Sequence, residues 1–453
     1  MLITKDTSFY KRLLLLSLPI ILQNLVSVSM TLLDNFMMGR LGDVATSGVY
    51  TGGQIQQLLQ IFTTGIEAAI LIPSAQYWGQ GDTERAAKTL SLGIKCAAVL
   101  SISVALVCTL FSNSVVSLFA KDEAVIGEGA EYLKTLALSF PFFAVTQSLV
   151  ASMRSVENTK VGLYASLAAL AVKAALNYPL IFGSHSMGIT GAATATLVAR
   201  ILEFLVMAFF VLKKDERINF SPKALLVGDK DVRNAFFGHA PVIFLAQLVW
   251  TANTLIYTTT MGKLGDSALV AGVGIANAMY SLVYVLANGV SSAVGIITGK
   301  TVGDARYGEM REYARKSELI ALALGAFSFV TVFLTRDAFI SIYSVTPEAA
   351  AYARSLINVI APLSVGTCYQ LCALFGLIRS GGDTSFVFKN DLVFLALVIL
   401  PAAIATRTGS PPFVVFAALK CDQILKCITA AVKLHRFDWM IRVSSKTKNS
   451  GRA

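Results

Sequence analysis

Twelve long apolar segments, separated by short polar loops, make up most of this sequence of 453 residues. Most are at least as long as the roughly 20 residues that a helix needs to cross a lipid bilayer. Only 14% of the residues are charged, whereas soluble domains average about 25%. The sequence therefore predicts an all-α polytopic membrane protein. The segments cover residues 13–38, 46–74, 88–112, 126–153, 161–183, 188–212, 235–262, 269–298, 313–335, 348–378, 385–405 and 410–433.

Lysine and arginine are distributed unevenly between the loops. They crowd both chain ends and the loops that follow even-numbered segments, and they are sparse in the other loops. Because basic loops stay in the cytoplasm, we expect both termini there, which agrees with an even number of spans. The net charge of +11 then reflects topology, and no nucleic-acid partner is expected. The plasma (inner) membrane and its lipids are the expected surroundings.

The two halves of the chain are related by an internal repeat. The matched sites are Met38–Asp43 with Met261–Asp266, Pro19 with Pro241, Arg154–Thr159 with Arg379–Thr384, and Tyr132 and Pro141 with Tyr352 and Pro362. Several matches in the same order indicate two pseudo-symmetric six-helix bundles. We predict an N-terminal lobe at 1–212, a cytoplasmic linker at 213–234, a C-terminal lobe at 235–433 and a basic cytoplasmic tail at 434–453.

Motifs for ATP use or for catalysis are absent from the sequence. It contains no Walker lysine motif, no HExxH, no GxSxG and no Cys/His metal spacing. The six cysteines lie in apolar segments and are interpreted as small buried hydrophobes. We therefore expect no enzyme activity and no cofactor, and an ion gradient is the remaining common source of energy.

The first segment carries Asp34 close to its end. An acid within the membrane costs roughly 2.5–3.5 kcal/mol on insertion scales, so it usually faces a protein interior or a wet cavity. Thr31, Ser27 and Gln23 share its helical face, which suggests an inward-facing pathway. The alternative is a polar residue near a helix end that reaches headgroup water.

Lys173 lies near the middle of the fifth segment, one helical turn from Asn177. A lysine there must lose its proton or find an acid, and Asp34 and Glu67 are the candidates by type. A Lys173–Asp34 pair that a proton or the cargo can break would couple the two. The alternatives are a structural ion pair and a lysine that reaches a water-filled cavity.

Further polar side chains lie along apolar helices and are candidates for lining a substrate cavity. They are Gln60, Glu67, Tyr257, Tyr280, Tyr284 and Asn288. By the repeat, Tyr257 stands where the first half has Asp34. The first half therefore holds the buried ionisable groups, and the second holds aromatic faces that attract cations. Routine hydrogen bonding between helices is the alternative for each. Lys420, Asp422 and Lys426 are expected to form a local network of charge pairs.

These features resemble the multidrug and toxic compound extrusion (MATE) family over nearly the whole chain. The resemblance rests on Asp34 before Met38–Gly42, on Gln76-x-x-Gly79, and on Arg379–Thr384. It implies two lobes around a central cavity and antiport of amphipathic, often cationic compounds against Na⁺ or H⁺. It also implies roles in ion coupling for Asp34, Asn177 and Thr196.

Three positions depart from the family pattern, and one of them is Lys173, which is unexpected in the fifth segment. Ile181 stands where many members have an acid, and Gln247 stands where one branch has another. Fewer oxygen ligands then remain for Na⁺, which Asp34 and Asn177 would hold if it were used. The sequence thus favours H⁺ slightly.

Together these observations predict a monomeric secondary antiporter that exports small amphipathic or cationic compounds in exchange for H⁺ or Na⁺. The alternative is a flippase for a lipid-linked precursor. Such a flippase needs a cationic cavity, for which Lys173 is the main candidate.

Overall fold

A computed structural model describes residues 7–38, 40–183, 186–221, 224, 228–264, 267–343, 345–405 and 410–443. Within these ranges the chain is almost entirely helical, and one isolated bridge, between Gly382 and Met440, is its only β-type pairing. Long helices suit an apolar chain because lipid offers no partners for backbone polar groups. The predicted all-α membrane fold is thereby confirmed.

The helices of the first half follow the predicted segments closely. They are α1 (Thr7–Met38), α2 (Asp43–Gly79), α3 (Thr83–Leu110), α4 (Ser112–Val116), α5 (Glu123–Ala137), α6 (Phe140–Ser155), α7 (Lys160–Phe182) and α8 (Gly188–Lys213). The fourth predicted segment is a bent pair, since α5 and α6 meet at 48°. Pro141, in the first turn of α6, fits this bend because proline cannot continue a preceding helix.

The second half contains more irregular helices than the first. Its elements are α9 (Lys230–Lys263), α10 (Ser267–Gly303), α11 (Tyr307–Ile340), α12 (Pro347–Gln370), π1 (Leu371–Arg379), α13 (Thr384–Phe394), π2 (Leu395–Ile399), α14 (Leu400–Ala405), α15 (Pro412–Lys420) and α16 (Asp422–Arg436). Here π1 and π2 are π-helical. In the described part of the chain, ten helices are long and apolar enough to cross a membrane, or eleven if the bent pair counts as one span. The twelfth predicted span corresponds to α15 and α16, which a break at Cys421 divides.

The described chain divides into two compact units. The N-unit is Leu22–Ala240, and the C-unit comprises the described residues up to Ile21 and those from Pro241 onward. The predicted lobes, 1–212 and 235–433, stay a prediction, because the units have other bounds. They differ within α1 and α9, which each contribute to both units. Pro19 and Pro241 lie close to the two points of division.

The predicted linker and tail both have ordered contacts where they are described. In the linker, Asp229 pairs with Lys88 of α3 at 3.3 Å. In the tail, Trp439 is fully buried, and Ile441 N–H donates to the carbonyl of Gly381 at 2.8 Å. Residues 222, 223, 225–227 and 444–453 of these segments lie outside the described ranges, as do Gly39 and Asp266 of the repeated motif.

Candidate ion-coupling and substrate sites

A buried ion pair joins α1 to α7 in the N-unit. Lys173 Nζ lies 2.5 Å from Asp34 Oδ2, with side-chain exposures of 5% and 17%. Asn177 donates from Nδ2 to the other carboxylate oxygen, Asp34 Oδ1, at 3.2 Å. Lys173 and Asn177 reach the same carboxylate because they are four residues apart and share one face of α7. The sequence had suggested this grouping, and the structure brings the three side chains together.

Asn177 has a further feature that bears on ion binding. The residue is fully buried, and its Oδ1 atom has no hydrogen-bond partner in the described structure. Buried polar atoms are usually satisfied, so an unpaired carbonyl oxygen beside a carboxylate marks a place where a donor or a cation fits. This oxygen and the Asp34 carboxylate are the groups that would hold Na⁺ if Na⁺ were the coupling ion.

Thr196 donates its hydroxyl to its own helix and not to Asp34. It is buried, and its hydroxyl donates to the carbonyl of Ala192, one turn back on α8, at 3.0 Å. Ser27 and Thr31 likewise donate to carbonyls of their own helix, α1, at 3.1 Å and 3.3 Å. The hydroxyls of the predicted stripe are therefore engaged by their own backbone.

A second chain of buried polar contacts runs through the N-unit, and the sequence reading missed most of it. Arg200 pairs with Glu203 at 2.7 Å, and Ser166 donates to Glu203 at 2.8 Å. Gln23 donates to Ser166 at 3.3 Å and accepts from Arg154 at 2.6 Å. Three helices of this unit and α1 are thus linked by polar side chains.

Electrostatic interactions link these buried polar contacts to Glu67 on one side and to the Asp34–Lys173 pair on the other. Glu67 lies close enough to Arg154 to attract it, and Arg200 lies close enough to Lys173 to repel it. With Asp34 and Glu203, the unit holds three acidic and three basic side chains in this region. Arg200 and Glu203 lie inside an apolar segment, so the rule applied to Asp34 would also have found them.

In the C-unit, the predicted aromatic faces are already occupied by a cation of the chain itself. Lys420 Nζ lies 4.2 Å from the ring centroid of Tyr257 and 4.7 Å from that of Tyr280. The hydroxyl of Tyr257 donates to Asn277 at 2.9 Å, and that of Tyr280 donates to Gln423 at 3.4 Å. Ammonium groups within about 6 Å of a ring centroid are attracted to its face.

The expected network of Lys420, Asp422 and Lys426 is formed in part. Lys426 binds Asp422 at 3.1 Å and also Asp391 of α13 at 2.9 Å. Lys420 takes part in no salt bridge with the described residues. Asp391 was not predicted from the sequence. It lies in an apolar segment, so the expectation that a buried acid has a protein partner applies to it as it does to Asp34.

The other predicted cavity residues are scattered. Gln60 is exposed, Asn288 is half-buried, and the ring of Tyr284 lies 6.5 Å from that of Tyr280. A cavity of about 390 Å³ in the C-unit is lined by α9 and by residues that follow π2. Its lining contains no ionisable side chain and none of the predicted site residues.

An all-helical chain with ten or more apolar spans, buried ion pairs and broken helices defines a multi-pass membrane transporter. The MatE family model matches residues 19–179 and again 241–404, which together are more than half of the chain. The chain therefore belongs to the MatE family, whose members are transporters and not enzymes. The double match agrees with the internal repeat.

Curated relatives cover most of the chain. "Probable multidrug resistance protein NorM" of Photorhabdus laumondii is 26% identical over 399 residues, covering 86% of each chain. "Multidrug resistance protein MdtK" of Yersinia pestis is 23% identical over 396 residues, again 86% of each. The chain is thus similar to multidrug resistance proteins over its main helical part.

Solved structures of transporters share the fold. The Vibrio cholerae MATE transporter VcmN, as its D35N mutant, matches with a TM-score of 0.88 at 17% identity, over 95% of this chain and 97% of that one. The eukaryotic MATE transporter AtDTX14 matches with a TM-score of 0.84 at 17% identity, over 98% and 99%. The predicted twelve-helix architecture is consistent with these matches.

Proposed function

We propose that this protein is a secondary antiporter that exports small amphipathic compounds in exchange for H⁺, with Asp34 as the proton-carrying group. The observation that carries the proposal is the 2.5 Å contact between Asp34 and Lys173. The curated relatives are named for multidrug resistance, which supports an exported foreign compound as cargo.

Lys173 favours the proton over Na⁺. Its ammonium already neutralises the carboxylate, so it takes the place that a dissolved cation would otherwise fill. A proton needs one oxygen of Asp34, whereas Na⁺ needs several oxygen ligands around it. The unpaired Oδ1 of Asn177 is one such ligand, but Ile181 supplies none on the next turn of α7.

Protonation of Asp34 would change the contact between α1 and α7. The neutral carboxyl no longer attracts Lys173, and a buried ammonium without a counter-ion is costly. Lys173 must then move toward water, find another acceptor or lose its proton. Each outcome alters how the two helices hold together, and this is how ion binding would be linked to cargo release.

Asp34→Asn should abolish efflux driven by a proton gradient and leave the protein folded. Efflux of a fluorescent dye is measured in membrane vesicles that contain the protein, with an imposed pH gradient or Na⁺ gradient. A protonophore should stop wild-type efflux, and Na⁺ replacement should leave it unchanged. Glu131→Gln, which neutralises an exposed carboxylate in the same unit, is the matched control.

Normal pumping by Asp34→Asn would contradict the coupling role. Efflux that follows the Na⁺ gradient alone would instead favour Na⁺ held by Asp34 and Asn177. The flippase alternative predicts no dye efflux with either gradient.

A further inference from the structure

Three irregularities in the helices of the C-unit lie beside one another. The π-helical segment π1 forms the end of one span, π2 interrupts a second, and the break at Cys421 divides a third. In the C-unit, α16 packs against π1 and α15 packs against π2. Inserted π turns occur often at functional sites, and broken spans line the binding sites of many transporters.

Lys420 is the last residue of α15 and therefore stands at this break. Lys420 is half-buried, and its ammonium lies 4.2 Å from the ring centroid of Tyr257 and 4.7 Å from that of Tyr280. The hydroxyls of both rings bond to amide side chains, those of Asn277 and Gln423, which hold the rings in position. We call Lys420, Tyr257 and Tyr280 the lysine cage.

The positive charge of Lys420 has no direct counter-ion among the described residues. None of the described residues accepts a hydrogen bond from its Nζ or forms a salt bridge with it. The neighbouring acid, Asp422, is held by Lys426, which also holds Asp391. An ammonium has three donors, and donors left unused in apolar surroundings are costly until an acceptor arrives.

Apolar residues surround the cage on several sides. Tyr257 belongs to a buried apolar cluster of the C-unit, together with Phe416, Leu419 and Ile399, and Tyr280 packs against the same cluster. A ligand that binds here therefore meets an apolar environment with one positive charge. A cationic ligand would meet the charge of Lys420 and be repelled.

We propose that the lysine cage is a cargo-binding subsite for the carboxylate, or a similar oxyanion, of an aromatic or amphipathic small molecule. This inference rests on the proposed transport function and names the charge of its cargo. It reverses the expectation from sequence, which took the same tyrosines as a site for cations. Lys420 supplies that cation from within the chain, so the incoming group is the anion.

This subsite can be tested with three probes that share an uncharged naphthyl group and differ in the charge of the attached group. Naphthylacetate, naphthylethanol and naphthylethylammonium are titrated calorimetrically into the full-length protein in phosphatidylcholine nanodiscs. Wild type should bind naphthylacetate at least about tenfold more tightly than the ammonium probe, because a hydrogen bond to a charged group is worth about 1.5–3 kcal/mol and 1.4 kcal/mol is tenfold.

Charge at position 420 should control that preference. Lys420→Gln should weaken naphthylacetate about tenfold and leave naphthylethanol unchanged, and Lys420→Arg should retain the preference. Lys263→Gln, which removes an exposed lysine of α9, should alter none of the three affinities. Equal weakening of all probes by Lys420→Gln would show a structural role and overturn the proposal.

Two further outcomes would also overturn it. One is that the wild-type protein binds the ammonium probe as tightly as naphthylacetate. This comparison needs only the wild-type protein, so it can be made even if Lys420→Gln does not fold. The other is Lys420-dependent loss of naphthylacetate binding when phosphatidylglycerol is added, which assigns the cage to a lipid. Asp34→Asn should retain the probe preference, so normal gradient-driven efflux by that variant with an intact preference would contradict only the proposed function.

Discussion

Lys173 limits what Asp34 can bind. The sequence predicted this pair because a charge within an apolar segment needs a partner of opposite sign. The same argument was not applied to Arg154, since its position at the end of the fourth segment was interpreted as a cytoplasmic loop. The structure places Arg154 against Gln23 of α1, where it belongs to the buried chain of contacts.

Sequence patterns could not reveal which lysine lies near which aromatic ring. Lys420 and Tyr257 are far apart in the chain, and Lys420 lies next to the break at Cys421. Neither π1 nor that break has a clear signal in hydropathy. The cage was therefore predicted only as two of its three members, with the opposite preference for charge.

A double-mutant cycle should show that Asp34 and Lys173 depend on each other. Each single change, Asp34→Asn or Lys173→Gln, leaves one buried charge without its partner, and such a loss costs about 3–5 kcal/mol. The double variant removes both charges and should be more stable than the sum of the single effects predicts. Thermal unfolding of the four proteins, followed by size-exclusion chromatography, measures the coupling.

Lys95→Gln and Glu131→Gln serve as the control pair for that cycle. Both side chains are exposed, and no described contact joins them, so their effects should add. Simple addition at Asp34 and Lys173 as well would mean that the 2.5 Å pair contributes no coupling free energy.

Among the helices, the internal repeat extends to individual packing contacts. A Cβ atom on Gly48 of α2 would lie 2.9 Å from Gly129 N on α5, and one on Gly272 of α10 would lie 3.0 Å from Ala353 N on α12. Gly272 lies 224 residues after Gly48, and Ala353 lies 224 residues after Gly129, so the two contacts occupy matching positions in the repeat. Small residues allow close helix contact in membranes, where van der Waals packing drives association.

Gly272→Ala should destabilise the protein by about 1–3 kcal/mol, the range for overpacking a filled core. The added methyl group meets backbone atoms of α12, Ala353 N at 3.0 Å and Ala349 O at 3.1 Å, as well as Tyr352 Cβ at 2.7 Å. Because backbone atoms cannot move without shifting the helix, the apparent melting temperature should fall.

Gly274→Ala provides the matched comparison on the same helix. Nothing lies within 4 Å of a Cβ atom there, so the change should be neutral or stabilising by up to about 1 kcal/mol through helix propensity. If the two variants melt at the same temperature, the close approach of α10 and α12 does not depend on the glycine.

At the scale of the whole molecule, the helical fold class and the order of the apolar segments could be predicted because hydropathy and the repeat both indicate them. The bent pair α5 and α6 and the broken pair α15 and α16 could not, since a span that bends keeps its average hydropathy. The division of α1 and α9 between the two units also lay beyond the sequence. Compact units follow side-chain packing, whereas the predicted lobes followed the order of the chain.

Orientation in the membrane remains a prediction from the basic loops, and it can be tested at three positions. Green fluorescent protein should fluoresce when fused after residue 214, in the loop after α8, and at the C-terminus, because it folds only on the cytoplasmic side. Alkaline phosphatase should be active after residue 186, between α7 and α8, because it matures only outside. The two chosen loops are one helix apart and must therefore give opposite signals. Active phosphatase after residue 214 would reverse the assignment, and it would place the basic linker on the side that the charge rule excludes.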